Sequence, residues 1–118
     1  MTWNAALVIK YSVPIPGREA KAMEVFATAL TVFGNLATDD KCTEPKVFHH
    51  LVGGGMMIVK TETVEKAHEI LEVDEVRDVI DKAMFTVSDF EVELMVTGEQ
   101  LMSNMAKYVA IGTELGYI

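Results

Sequence analysis

The sequence has little cysteine, little tryptophan, few basic residues and no long apolar run. One cysteine, Cys42, excludes a disulfide framework or a thiolate metal cluster within the chain. With Lys41 beside it but Asp39, Asp40 and Glu44 close by, it reads as an ordinary loop thiol rather than an activated one. Ten Lys and Arg against 18 Asp and Glu leave a formal net charge of −8. Such a surface repels phosphate backbones and anionic bilayers, so neither nucleic acid nor membrane is expected as a partner. No stretch approaches the ~18 apolar residues of a membrane-spanning helix. The opening residues lack the charged segment of a secretory signal, and the expected location is cytoplasmic.

Half of the 118 residues are apolar, enough for one domain over residues 1–118 with a real core. Ala5 to Val13 is a β-type run closed by Pro14-Ile15-Pro16-Gly17. Its alternation puts Leu7, Ile9 and Tyr11 on one face and Val8, Lys10 and Ser12 on the other. From Arg18 to about Ala37 the period is helical, with Met23, Phe26, Leu30 and Phe33 as its stripe, widened by Val25, Ala29 and Leu36. Lys46–Val52 and Met56–Thr61 form a hairpin around Gly53-Gly54-Gly55, since glycine accepts positive φ at no steric cost. Thr63 caps a helix that breaks near Glu72-Val73-Asp74, with Asp74 capping the second piece. Phe90, Val92, Leu94 and Val96 alternate with Glu91, Glu93, Met95 and Thr97 in a half-buried strand. After Gly98 comes a helix with an apolar stripe of Leu101, Met102, Met105, Tyr108 and Val109.

The order β-α-β-β-α-β-α fits an α+β, ferredoxin-like arrangement: a four-stranded antiparallel sheet, helices on one face and an extra C-terminal helix. The opposite face, with Val8, Met95 and one parity of the hairpin, is too apolar to be left in water. A symmetric homodimer packed sheet to sheet would cover it. The first strand, its Pro16-Gly17-Arg18-Glu19 turn, the long helix, the hairpin and the run Met57 to Glu65 resemble the dimeric α+β-barrel superfamily over about residues 5–97. That group includes antibiotic-biosynthesis-type monooxygenases, haem-degrading enzymes and muconolactone isomerases. The resemblance implies a dimeric barrel and a monooxygenase-like enzyme that works without a metal or organic cofactor. Such monooxygenases commonly carry an asparagine on the first strand and a tryptophan late on the third. Here the third strand ends Val59-Lys60-Thr61-Glu62, while Trp3 and Asn4 precede the first strand. The haem-degrading branch draws an axial histidine from a helix, where this chain has His68.

The candidate catalytic residues are His49, His50, Lys10 and Tyr11. Adjacent strand residues face opposite sides, so His49 and His50 cannot chelate one metal together, and no His-Glu-x-x-His or paired-cysteine motif indicates a metal site. One histidine of the pair faces the helices. A neutral imidazole suits a general base, and Tyr11 or Lys10 suits an oxyanion. Methionine and aromatic side chains facing one another suggest a helix–sheet pocket lined by Met23, Phe26, Leu30, Phe33, Met57, Leu7 and Ile9. Two functions fit. One is a cofactor-independent enzyme acting on a small apolar or aromatic substrate. The alternative is a non-catalytic binder of a small apolar acid, such as a fatty acid, with its carboxylate at Lys10 or a histidine.

Overall fold

The computed structural model describes residues 2–118. In chain order it contains β1 (Ala5–Tyr11), α1 (Glu19–Thr38), β2 (Lys46–His49), β3 (Gly55–Thr61), α2 (Val64–Leu71), α3 (Asp74–Met84), β4 (Phe90–Val96) and α4 (Gly98–Glu114). The strands form one antiparallel sheet in the order β2-β3-β1-β4. This is the ferredoxin-like arrangement expected of the sequence.

Strand β1 is central, and its alternation organises both layers. Leu7 pairs with Val59 and Leu94, Ile9 with Met57 and Val92, and Tyr11 with Gly55 and Phe90. These residues face the helices, where Leu7 and Val59 are fully buried. Helix α1 answers with Ala22, Val25, Ala29 and Phe33. Val25, Ala29 and Phe33 of the expected α1 stripe are buried, and its remaining large residues lie at the edges. Met23 is 72% exposed, and Phe26 and Leu30 flank the core rather than forming it. The reason is steric: the alanines let α1 approach, and the larger side chains splay to its sides. Met57 is buried, but Met23, Met84, Met95, Met102 and Met105 are exposed.

Two local features depart from the sequence reading. Strand β2 stops at His49, and Gly55 joins β3 opposite it. The hairpin loop is then residues 50–54, in which the His50 N–H donates to the Gly54 carbonyl (2.9 Å) and the Gly53 N–H to the His50 carbonyl (3.2 Å). Gly54 lies at φ +75°, and a Cβ there would stand 2.9 Å from the Tyr11 carbonyl oxygen. The tip packs that closely against β1. The helix break occurs as expected, but Val73 is the residue ahead of α3 and Asp74 is its first helical residue, without a side-chain cap. Thr63 does cap α2: its Oγ1 accepts the Lys66 N–H at 3.1 Å.

Cys42 is buried in the core rather than held on a polar loop, its Sγ 3.8 Å from the Phe33 carbonyl oxygen. Beyond β1 the chain continues to pair with the segment ahead of β4. The Ser12 N–H donates to the Asp89 carbonyl, the Ser88 N–H to that of Val13, and the Ile15 N–H to that of Thr86. This short ladder closes one end of the space between α1 and the sheet. Phe33→Ala should cost about 3–5 kcal/mol, because a large side chain is removed from a closed core. Urea denaturation checks it, with Met23→Ala, which removes a largely exposed side chain, expected within about 0.5 kcal/mol of the parent.

Candidate functional site

Helix–sheet layers of this kind normally interdigitate without space. Here they do not, and the lining contributed by the two helices includes the small residues Ala22 and Ala29 on α1 and Ala83 on α3. The result is a cleft of ≈ 470 Å³. Ile9, Tyr11 and Met57 form its sheet side, Phe33 and Phe90 its inner walls, and Pro14, Thr86 and Val87 its closed end. Met23 and Phe26 stand on the α1 side. Among the described residues that line the cleft there is no Lys, Arg, Asp or Glu.

Two polar side chains of the lining, Tyr11 and His49, meet. Tyr11 Oη lies 2.6 Å from His49 Nε2. The His49 ring stands perpendicular to that of Tyr11 at 5.6 Å, and Phe26 packs at 5.9 Å from Tyr11 and 5.4 Å from His49. Edge-to-face packing of this kind restrains both partners of the hydrogen bond. Register explains the meeting: His49 opposes Gly55 across β3, and Gly55 opposes Tyr11, so both side chains rise on the helix face with no side chain between them. Burial pushes the Tyr11 hydroxyl up to about 12. Tyr11 therefore keeps its proton at neutral pH and donates it to Nε2 when His49 carries its own proton on Nδ1. His49 is itself exposed and links this pair to solvent.

The other sequence candidates lie elsewhere. Lys10 points to the opposite sheet face and pairs with Glu93 at 2.8 Å, whose hydrogen bond and charge hold the ammonium above its ordinary value. His50 also turns to that side, where a second, open cavity of ≈ 560 Å³ is lined by Lys10, His50, Met56, Ser88, Asp89 and Glu91. Neither lines the helix–sheet cleft. Leu7 is sealed in the core and Leu30 packs beside it, so both are structural, unlike Met23, Phe26, Phe33, Met57 and Ile9, which do line the cleft. His68 is exposed on α2, off the stripe of Ala67 and Ile70. Asn4 serves as a backbone partner for the start of α4. Among the described residues no cluster of His, Cys, Asp and Glu could hold a metal, and no helix is long and apolar enough to cross a membrane. Sequence reading did not find Phe90, Thr86 or the alanines. Small residues on the two helices were the available signal for the last of these.

No family model matches the sequence, and no curated protein is similar enough to match. Solved structures do match. A proposed antibiotic biosynthesis monooxygenase from Deinococcus radiodurans aligns at 17% identity and a TM-score of 0.62, covering 80% of this chain and 93% of that one. A protein of unknown function from Bacteroides thetaiotaomicron, suggested to be an oxidoreductase, gives 11%, 0.64, 82% and 100%. A dimeric protein of unknown function with a ferredoxin-like fold from Bacteroides fragilis gives 5%, 0.60, 80% and 96%. At such identities the shared property is the fold.

Two groups in this region make stability depend on pH. Burial raises the Cys42 thiol from 9.0 to about 11 and the Tyr11 hydroxyl from 10.0 to about 12. Between these limits the folded chain holds protons that the unfolded chain has released, so stability falls as pH rises from about 9 towards 12. Denaturant midpoints measured across that range should decline. Cys42→Ala should flatten the lower part of the decline and Tyr11→Phe the upper part.

Proposed function

We propose that this protein is a cytoplasmic, homodimeric, monooxygenase-like enzyme that needs no metal or organic cofactor and acts on a small, neutral, largely apolar or aromatic substrate. The observation that carries this reading is the Tyr11–His49 hydrogen bond at the polar spot of an otherwise apolar cleft. The described lining of the cleft has no Lys or Arg to pair with a carboxylate, while Tyr11 and His49 supply hydrogen-bonding groups. A hydroxyl or enol can instead donate to Tyr11 Oη while its apolar body fills the space between α1 and α3. The fold likeness to a proposed antibiotic biosynthesis monooxygenase supports the same reaction class.

Within this reading Tyr11 and His49 act as a relay. The substrate hydroxyl passes its proton to Tyr11 Oη as the Tyr11 proton moves to His49 Nε2, and solvent at the exposed side of His49 takes up the charge. Dioxygen is the oxidant. The ring CH carbon conjugated with the deprotonated hydroxyl forms the new C–O bond to dioxygen. Loss of that carbon's hydrogen with O–O cleavage leaves one oxygen as the product carbonyl, and the other departs as water with the proton first taken from the hydroxyl. The dry walls of the cleft strengthen the hydrogen bond from Tyr11 to the developing anion.

The binding of a small apolar acid loses the anchor assigned to Lys10, which lies across the sheet from the cleft and is paired with Glu93. The open sheet face, with Phe48 and Met95 among its exposed side chains, supports the homodimer. Light scattering at micromolar concentration should return twice the 13.0 kDa chain mass, and a monomer would refute the assembly. Native mass spectrometry with organic extraction of the purified protein should recover a neutral ligand; a retained carboxylic acid would favour the binder. With hydroxyarenes and dioxygen as the assay, His49→Ala should lower kcat about 10²-fold, as loss of a general base does. His50→Ala should leave it unchanged, and equal effects of the two would remove His49 from the relay.

A further inference from the structure

The fold is complete at Val96, where β4 ends, yet the chain adds a 17-residue helix with no buried residue. Met102, Met105, Tyr108 and Val109 share one side of α4, and each is more than half exposed. Glu99, Lys107 and Glu114 are its only charged residues. A helix of this length is marginal alone in water and draws most of its stability from packing an apolar face. Among the described residues, helix α4 packs no such face on its own protomer. The molecule is correspondingly elongated, with a longest extent of 55 Å and a radius of gyration of 16.8 Å, against about 13–14 Å for a compact chain of this length.

The direction of α4 is set at its root. The Asn4 carbonyl accepts the Thr97 N–H at 2.8 Å, and Asn4 Oδ1 accepts the Gln100 N–H at 3.1 Å. An N-terminal cap is thus supplied from the far end of the chain to a donor that the helix cannot satisfy itself. Gly98 lies at φ +60°, and a Cβ there would stand 2.5 Å from the Trp3 carbonyl oxygen. Only glycine lets the backbone turn so close to the segment ahead of β1.

We propose that α4 is an exchange arm that lays its apolar stripe on a second copy of this chain. The proposal rests on the homodimer put forward above. Three observations select this occupant. The root of α4 continues directly from β4, an edge strand of the open sheet face, where Met95 is exposed three residues before the helix. A twofold pairing through that face brings each root to the border of the other copy, and symmetry makes the exchange reciprocal. The arm, about 25 Å long, then extends an apolar seam that is already present, towards the ~800 Å² per partner of a stable interface. A bilayer is the poorer occupant. The arm has one basic residue, Lys107, and the net charge of −8 opposes an anionic surface.

Hydrogen–deuterium exchange of the full chain, with sedimentation, tests the arm. In the wild-type dimer the α4 amides should be protected. The pair Met105→Glu and Val109→Glu should raise the dimer dissociation constant at least tenfold, a modest loss for truncating interface anchors, and release the protection. Tyr108→Glu should act in the same direction, with circular dichroism confirming the fold, since these side chains lie outside the core of their own protomer. Retention of the extracted ligand should be unchanged. A wild-type dimer whose α4 amides exchange freely, or variants that dimerise like the parent, would overturn the arm alone. A wild-type monomer would overturn both the arm and the dimer. Vesicles of phosphatidylcholine that take up the wild type, with dimerisation unaltered in the variants, would assign the stripe to lipid.

Discussion

The register of β1 between β3 and β4 is the constraint on which the other features depend. A strand presents alternate side chains to opposite sides, so a slip by one residue would exchange every contact. In the observed register Leu7 and Ile9 close the core, Tyr11 reaches His49, and Lys10 meets Glu93 on the far side. The two histidines are separated by the same rule. His49 belongs to the layer that carries the helices, and His50 to the layer that an isolated chain leaves open. One parity choice thus assigns one histidine to the cleft and the other to the second cavity.

The cleft is a consequence of omission. Alanine at positions 22, 29 and 83 removes the side chains that would fill the space between two helices and a sheet, and larger residues beyond it complete the core. Such an opening forfeits packing energy, which Phe33, Val76, Leu7 and Val59 offset by closing tightly nearby. The polar spot is placed with similar economy. A glycine between Tyr11 and His49 leaves their rings free to touch, and Phe26 packs against both of them. Preorganisation of this kind favours a ligand that brings one hydrogen-bonding group and otherwise excludes water.

Much of this could be read from the order of residues, and the parts that could not have physical reasons. The alternation from Leu7 to Tyr11 and from Phe90 to Val96 identified the inward sheet face, because burial on one side imposes a period of two. That one histidine of the pair faces the helices followed from the same alternation, but which of the two does so depends on the length of the hairpin loop, which the residues alone do not set. On helix α1 the expected stripe contained Val25, Ala29 and Phe33, which are buried, but it also extended to Met23, which is exposed, and passed over Ala22, which is buried. Methionine is equally at home in a core or on an exposed face awaiting a neighbour, so composition alone could not separate Met57 from Met102. Leu30 and Leu7 were expected in the pocket from helical spacing and strand parity, but Leu7 is sealed in the core and Leu30 packs beside it; Lys10 lies on the opposite face, as the alternation of β1 has it. The assignment of α4 as a helix was sound. Its lack of any packed face on its own chain is a three-dimensional fact that no periodicity reveals.

The burial of Cys42 has a practical side. Its sulfur is enclosed beside Phe33 with a thiol pushed up to about 11, so the folded chain presents almost no thiolate to solvent at neutral pH. The natural protein is therefore nearly silent towards thiol-directed dyes and spin labels. A cysteine introduced at any exposed position becomes a chemically unique handle, and distances between two such handles can be measured without first deleting the native one.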